Sequence, residues 1–257
     1  MTLDLTITAA FAPSGTLRVA INLGNPVLAR IGDDPARPSG ISVDIATELA
    51  RRLSVPIEFV VVDAAAKSVE AVENGHVDVG FFAVDPVRAA GIAFTEPYLL
   101  IEGCYLVDRD STVTANEQVD RPHNRVAVGA GSAYDLFLTR ELQHAQMVRV
   151  PTSPAVVETF IAQHLEVAAG VRQQLEADAR RYDNLRLLVE PFMVIRQAAG
   201  VALARGPAAS RYLSHFIDDL KTSGEIGALI ERHGMAGVSV APPKARVGEN
   251  AHATRRG

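Results

Sequence analysis

The stretches Gly40-Ile-Ser-Val-Asp-Ile-Ala46, Ala83-Val-Asp-Pro-Val-Arg-Ala89 and Phe94-Thr-Glu-Pro-Tyr98 determine the fold of this chain. The elements predicted around these stretches follow in the order strand, helix, strand, helix, strand. A loop with one arginine, Arg88, comes next, and then a segment of exposed character that leads into a crossing. Strands that alternate with helices of this length predict a parallel, doubly wound α/β sheet.

The first unit contains the first of these stretches. The apolar runs Leu17–Ile21 and Ile57–Val62 predict buried strands. Between them, apolar residues recur at helical spacing, and Ser42 is placed to cap that helix. A second helix is expected to end at Asn74-Gly75, before a strand at Val77–Phe82.

A second unit of the same kind begins near Arg125. Its expected strands are Arg125–Gly129, Met147–Val150, Val167–Val171 and Leu185–Val189, and its expected helices are Ser132–Gln143 and Pro154–His164. The chain then returns through Phe192–Arg196 and Ala199–Leu203 to two helices between Pro207 and His233.

These patterns predict an α/β protein of two doubly wound lobes joined by two extended crossings, with a ligand cleft between the lobes. Lobe 1 is expected at 16–101 and 194–238, and lobe 2 at 104–190. The crossings fall near 99–107 and 190–196. Residues 239–257 are poor in apolar side chains and are expected to form a disordered tail.

Composition excludes several classes of function. The chain has 257 residues, a net charge of −5 and a pI near 5.8, with no basic stripe for nucleic acid. Cys104 is the only cysteine, the histidines show no metal-ligand spacing, and no nucleotide-binding loop occurs. We therefore expect no metal and no cofactor. We also expect a monomer that does not span a membrane, since no run of about 18 apolar residues is present.

The sequence from Gly40 through Arg88 to Tyr98 resembles the polar amino-acid type, family 3, of ABC-transporter solute-binding proteins, which have the type II periplasmic-binding-protein fold. In that family the counterpart of Arg88 clamps a ligand carboxylate. Asp85 and Pro86 are expected to start a helix there, whose free N–H groups also favour an anion. A surface arginine beside a helix cap is the simpler interpretation. The resemblance also places Ala83 in the site, where the family has a hydroxyl.

In the second lobe, Gly129-Ala-Gly-Ser-Ala-Tyr-Asp135 matches the turn with which the family binds the same carboxylate. Ser132 is the expected ligand there, with Ala133 contributing only its backbone N–H, although a plain helix cap also explains the pattern. Asn22 and Asn25 end the first strand and are expected to face the cleft. Tyr98 and Glu102 flank the first crossing as possible hinge groups.

The strand that ends at Val171-Arg172 departs from the family. The family's amino-acid binders place an aspartate, which pairs with the ligand ammonium, where this chain has Val171. Arg172 is expected either to accept a second negative group or to be a solvated helix residue. The ligand is therefore expected to be a keto or hydroxy acid, a dicarboxylate or an acylated amino acid.

Function is expected to be non-enzymatic: closure over a small carboxylate, with a possible ABC permease as partner for uptake, or sensing. The alternative is a lyase similar to cyclohexadienyl dehydratases, for which Glu141 and Glu158 are the acids nearest the cleft. The resemblance implies a periplasmic protein. The N-terminal residues lack the pattern of a signal peptide, so a cytoplasmic protein is the alternative expectation.

Overall fold

The structure is a computed structural model and describes residues 5–32 and 37–243. The helices in these ranges are α1 (Leu5–Phe11), α2 (Ile41–Leu53), α3 (Ala65–Glu73), α4 (Ala133–Glu141), α5 (Val156–Ala162), α6 (Arg172–Arg181), α7 (Gly206–Thr222) and α8 (Glu225–Arg232). The strands are β1 (Leu17–Asn22), β2 (Arg30–Ile31), β3 (Pro38–Ser39), β4 (Ile57–Val62), β5 (Gly80–Ala83), β6 (Ile92–Phe94), β7 (Leu99–Asp108), β8 (Arg125–Gly129), β9 (Gln146–Val150), β10 (Val167–Val171), β11 (Leu185–Leu187), β12 (Met193–Ala202) and β13 (Ser239–Val240).

Lobe 1 contains parallel strands, as the sequence predicts, but its pairing is mixed, because β12 pairs antiparallel with β5 and β6. β1 pairs in parallel with β4, and Val19 forms a parallel bridge with Val79 just before β5. Helix α2 buries its apolar face in the largest hydrophobic core, beside β1 and α7. The predicted cap is wrong: α2 begins after Gly40, and Ser42 is buried in the first turn without capping it. Gly40 has φ 136°, and a Cβ there would lie 2.4 Å from the Leu28 carbonyl oxygen, so this turn requires glycine.

Lobe 2 repeats this arrangement. β8 pairs in parallel with β9 on one side and with β10 on the other. Two apolar clusters contain side chains from opposite faces of these strands, with helix α5 in one and helix α4 in the other. The carboxyl ends of β8 and β10 lead into α4 and the first turn of α6, at the edge where open α/β sheets bind ligands.

The two crossings are long neighbouring strands. β7 and β12 pair antiparallel from Leu99 with Gln197 to Gly103 with Met193. Farther along, β7 pairs with β10 over residues 103–106 and with β11 over residues 106–108. Strand pairing therefore continues from one lobe into the other, where the sequence suggested two separate sheets. The two return strands predicted near 192–203 are a single strand, β12.

Two further expectations are corrected by the packing. Tyr98, at the end of the segment of exposed character, is fully buried and stacks edge-on against Phe81. At the C-terminus, β13 pairs with the start of β7, so residues 239–240 are ordered parts of the sheet. The rest of the expected tail beyond residue 243 lies outside the described residues. The residue boundaries of the two lobes stay a prediction.

Candidate functional site

A cavity lies between the two lobes and is open to solvent on one side. Its lining comes from the ends of β1, β5 and β10, the starts of α3, α4 and α6, and strand β12. The polar lining residues are Asn22, Asn25, Arg88, Ser132, Tyr134, Ser153, Gln174 and Gln197; the others are Gly24, Leu28, Ala65, Phe81, Phe82, Ala83, Ala133, Val171 and Ile195.

Arg88 is the cation of this cavity and is only 4% exposed. Its guanidinium donates to the Ala83 carbonyl at 3.1 Å and, across the cleft, to the Gly131 carbonyl at 2.9 Å. No aspartate or glutamate among the described residues forms an ion pair with it. Burial lowers the pKa of Arg88 to about 10, so the group is charged at neutral pH. A buried guanidinium that lacks a carboxylate partner is suited to bind an anion from solution.

The loop around Arg88 differs from the predicted helix start. Asp85 accepts a hydrogen bond from the Val87 N–H at 2.8 Å, but the chain then forms only a single 3-10 turn, Arg88–Ala90. The Asp85 side chain does not line the cavity. It forms a 2.8 Å ion pair with Arg140 on α4 and so links the two lobes beside the site.

The second lobe contributes the turn before α4. Ser132 caps that helix, because its Oγ accepts a hydrogen bond from the Asp135 N–H at 3.1 Å. Ser132 and Ala133 both line the cavity, as expected. A hydroxyl has one hydrogen to donate in addition to the lone pair that accepts from the Asp135 N–H. Cap and ligand-binding roles are therefore compatible in one residue.

Val171 and Arg172, at the point where the sequence departs from the family, lie on different sides of the end of β10. Val171 lines the cavity, as the register predicted, and is the N-cap residue of α6 without a capping side chain. Arg172 does not line the cavity. Its guanidinium contacts the Glu102 carboxylate on β7 and donates to the Val189 carbonyl at 3.3 Å. In this structure Arg172 is therefore not placed to supply a second positive group to a ligand in the cavity.

Asn22 and Asn25 line the cavity, and each also shapes its loop by accepting a backbone N–H. Sequence reasoning missed Gln174, Gln197, Ser153 and the pair Phe81 and Phe82. Gln174 lies one turn beyond Val171, which could have indicated it. Phe81 and Phe82 lie on β5, which is buried along its whole length, so a run of apolar residues gives no signal of which face meets the cavity. Gln197 lies on β12, whose pairing beside β5 the sequence does not indicate.

Within residues 5–32 and 37–243, the site contains no acidic side chain and no cluster of metal-ligating residues. None of the cavity-lining residues in these ranges is aspartate, glutamate or histidine. In the same ranges, no group of three or more histidine, cysteine, aspartate or glutamate residues could hold a metal ion. None of the helices there has the length and hydropathy needed to cross a bilayer.

Two α/β lobes, two crossing strands and an interlobe cavity define a two-lobed binding protein. The chain belongs to the bacterial extracellular solute-binding proteins, family 3, whose model matches residues 17–236. No curated protein sequence matches the chain.

Solved structures of similar fold agree with this assignment. A mutant of ArgBP from T. maritima has a TM-score of 0.76 and 18% identity, covering 89% of this chain and 99% of that one. A solute receptor for L-cysteine of Neisseria gonorrhoeae has a TM-score of 0.76 and 22% identity, covering 88% and 92%. An ancestral amino acid-binding protein, described as a precursor of cyclohexadienyl dehydratase, has a TM-score of 0.73 and 18% identity, covering 88% and 98%.

Proposed function

We propose that this protein is a receptor that closes over a small carboxylate-bearing ligand, with Arg88 as the group that binds the carboxylate. The observation that carries the proposal is the buried guanidinium of Arg88, which has two carbonyl partners and no carboxylate partner among the described residues. Asp85 favours the charged guanidinium through space without forming an ion pair with it. A bound carboxylate would add bidentate hydrogen bonds to this desolvated cation.

Closure is the second part of the proposal. Arg88 donates to Gly131 across the cleft, and Asp85 pairs with Arg140 on the other lobe. Both contacts can form only when the lobes are together, and both involve the loop that would bind the carboxylate. Bending of the paired strands β7 and β12 would open the cleft. Ligand binding and lobe closure would then stabilise the same arrangement.

The family suggests the biological role. Receptors of this kind hand small solutes to an ABC permease, and proteins of the same fold are described as bound to L-arginine or as receptors for L-cysteine. We propose uptake or sensing of an organic acid outside the cytoplasm, with a cytoplasmic scavenging role as the alternative. Fractionation of cells that express the protein at natural levels would separate these two.

A thermal-shift panel of small acids, followed by calorimetry of the hits, tests the proposed function. We expect at least one carboxylate to raise the melting temperature in the natural protein and not in Arg88→Ala. Stabilisation by neutral or cationic solutes alone would refute the proposal.

The lyase alternative is tested with the same material. Glu141 and Glu158, the acids suggested for it, are absent from the described lining of the cavity, and general-acid catalysis requires a proton donor within reach of the leaving hydroxyl. Incubation with a cyclohexadienyl carboxylate should therefore leave it unchanged. Formation of an aromatic product, absent with Arg88→Ala, would favour the lyase over the receptor.

A further inference from the structure

The cavity contains one formal charge. Among its described lining residues Arg88 is cationic and none is anionic, while amides, hydroxyls and apolar groups make up the rest. We propose that the ligand is a monoanion with an uncharged body, such as a 2-oxo acid, a 2-hydroxy acid or an N-acylated amino acid, and not a free amino acid. This inference rests on the proposed function of Arg88 as the carboxylate-binding group.

Several acids on the segments that flank the cavity are engaged elsewhere. Asp85 pairs with Arg140, and Glu102 contacts Arg172. Further acids beside the cavity-lining helices are also occupied: Asp135 accepts from the Gly131 N–H and from Arg149, and Asp178 accepts from Gln174 and pairs with Arg181. A carboxylate could reach a ligand ammonium only by breaking one of these pairs.

The position where an acid would serve an ammonium is apolar and has the wrong electrostatic sign. Val171 is 6% exposed and lines the cavity with its side chain. It also forms the N-terminus of α6, a helix of 10 residues whose first N–H groups carry partial positive charge. An ammonium placed beside Val171 would lose water, gain no anion and meet this positive end.

The cavity also has no partner for a second carboxylate on the ligand among its described lining residues. The group expected to bind it, Arg172, is directed away and contacts Glu102 and Val189. Of the three ligand classes that the sequence suggests, the dicarboxylate therefore loses its partner. The keto or hydroxy acid and the acylated amino acid retain theirs.

Neutral polar groups are available for the body of such a ligand. Gln197 is only 3% exposed, lines the cavity, and uses its side-chain amide in no hydrogen bond within the described residues. An amide is both a donor and an acceptor, so it can bind a keto or hydroxyl oxygen or an acylamide. This amide therefore gives the ligand a neutral polar group to pair with.

Calorimetry on matched ligands tests the inference. Each set has one side chain presented as the free amino acid, the 2-oxo acid, the 2-hydroxy acid and the N-acetyl amino acid. In at least one set, we expect an analogue without an ammonium to bind about tenfold or more tightly than the amino acid, equivalent to about 1.4 kcal/mol.

Two variants locate the cause. Val171→Asp places a carboxylate at an N-cap position, where aspartate is favoured, and should shift the preference toward the amino acid by about tenfold or more. Val171→Asn is the matched control, because asparagine has the same shape as aspartate and also caps helices but carries no charge. It should keep the natural order of affinities.

The outcomes separate the two proposals. Free amino acids that bind as tightly as their analogues would overturn this inference and leave the carboxylate receptor intact. An unchanged preference in a folded Val171→Asp would overturn the assignment of that position. If Val171→Asp does not fold, the matched sets on the natural protein decide. Binding of no acid in any set would overturn the proposed function, and this inference with it.

Discussion

Replacement of Arg88 by alanine removes the group on which the proposed site depends. The guanidinium has five N–H donors, of which the structure uses two on the carbonyls of Ala83 and Gly131. The remaining donors are available to a carboxylate. Hydrogen bonds to a charged group contribute about 1.5–3 kcal/mol, so affinity should fall by about 10- to 150-fold.

Lysine at the same position should recover only part of the loss. Its ammonium keeps the charge but cannot form the planar fork that binds two carboxylate oxygens. The natural protein, Arg88→Ala and Arg88→Lys should be compared by calorimetry, with melting curves to confirm folding. Arg211→Ala on α7 is a matched control, because Arg211 is exposed and far along the chain from the cavity loop. An Arg88→Ala protein that folds and binds a carboxylate with unchanged affinity would refute the account of the site.

Three further predictions concern closure, stability and pH. Arg140→Ala removes the interlobe ion pair with Asp85, in which the Arg140 side chain is 42% exposed. We expect stopped-flow measurements to show ligand release about two- to fivefold faster. An unchanged release rate would mean that this ion pair does not favour closure. Asp78→Asn should lower the free energy of unfolding by about 3 kcal/mol, because the fully buried carboxylate accepts from Arg18 and contacts Arg205, and an arginine would be left unpaired. A denaturation midpoint equal to the natural protein's would contradict this. Affinity should be level from about pH 6 to 9 and fall below about pH 4, since the cavity arginine stays protonated and the ligand carboxylate stays ionised in the upper range. A tenfold change between pH 6 and 8 would indicate a titrating group that the described cavity does not contain.

The strands of the fold were predictable from sequence because β1, β4, β8 and β10 each appear as short apolar runs between helical patterns. Burial explains this pattern for β8 and β10. The prediction that β4 is buried was wrong, because this strand pairs only with β1 among the described strands and none of its residues is fully buried. The pairing of β7 with β12 was not predictable. It depends on contacts between segments about 90 residues apart, and no local pattern specifies whether two crossings lie side by side or separately.

Candidate residues for the site were predictable close to strand ends: Val171 ends β10, and Ser132 and Arg88 lie in the segments that follow β8 and β5. Arg88, Ser132 and Val171 all line the cavity because topology brings these ends to one edge. The direction of a long side chain was not predictable in the same way. Arg172 adjoins Val171 in sequence but contacts Glu102, because adjacent residues at a strand end point to opposite sides.

A crystal structure of the protein with the tightest-binding acid tests the central claim most directly. We predict both carboxylate oxygens within about 3 Å of the Arg88 guanidinium nitrogens, with the uncharged body of the ligand toward Gln197 and Val171. A ligand whose carboxylate lies elsewhere, with no group within hydrogen-bond distance of Arg88, would contradict the account.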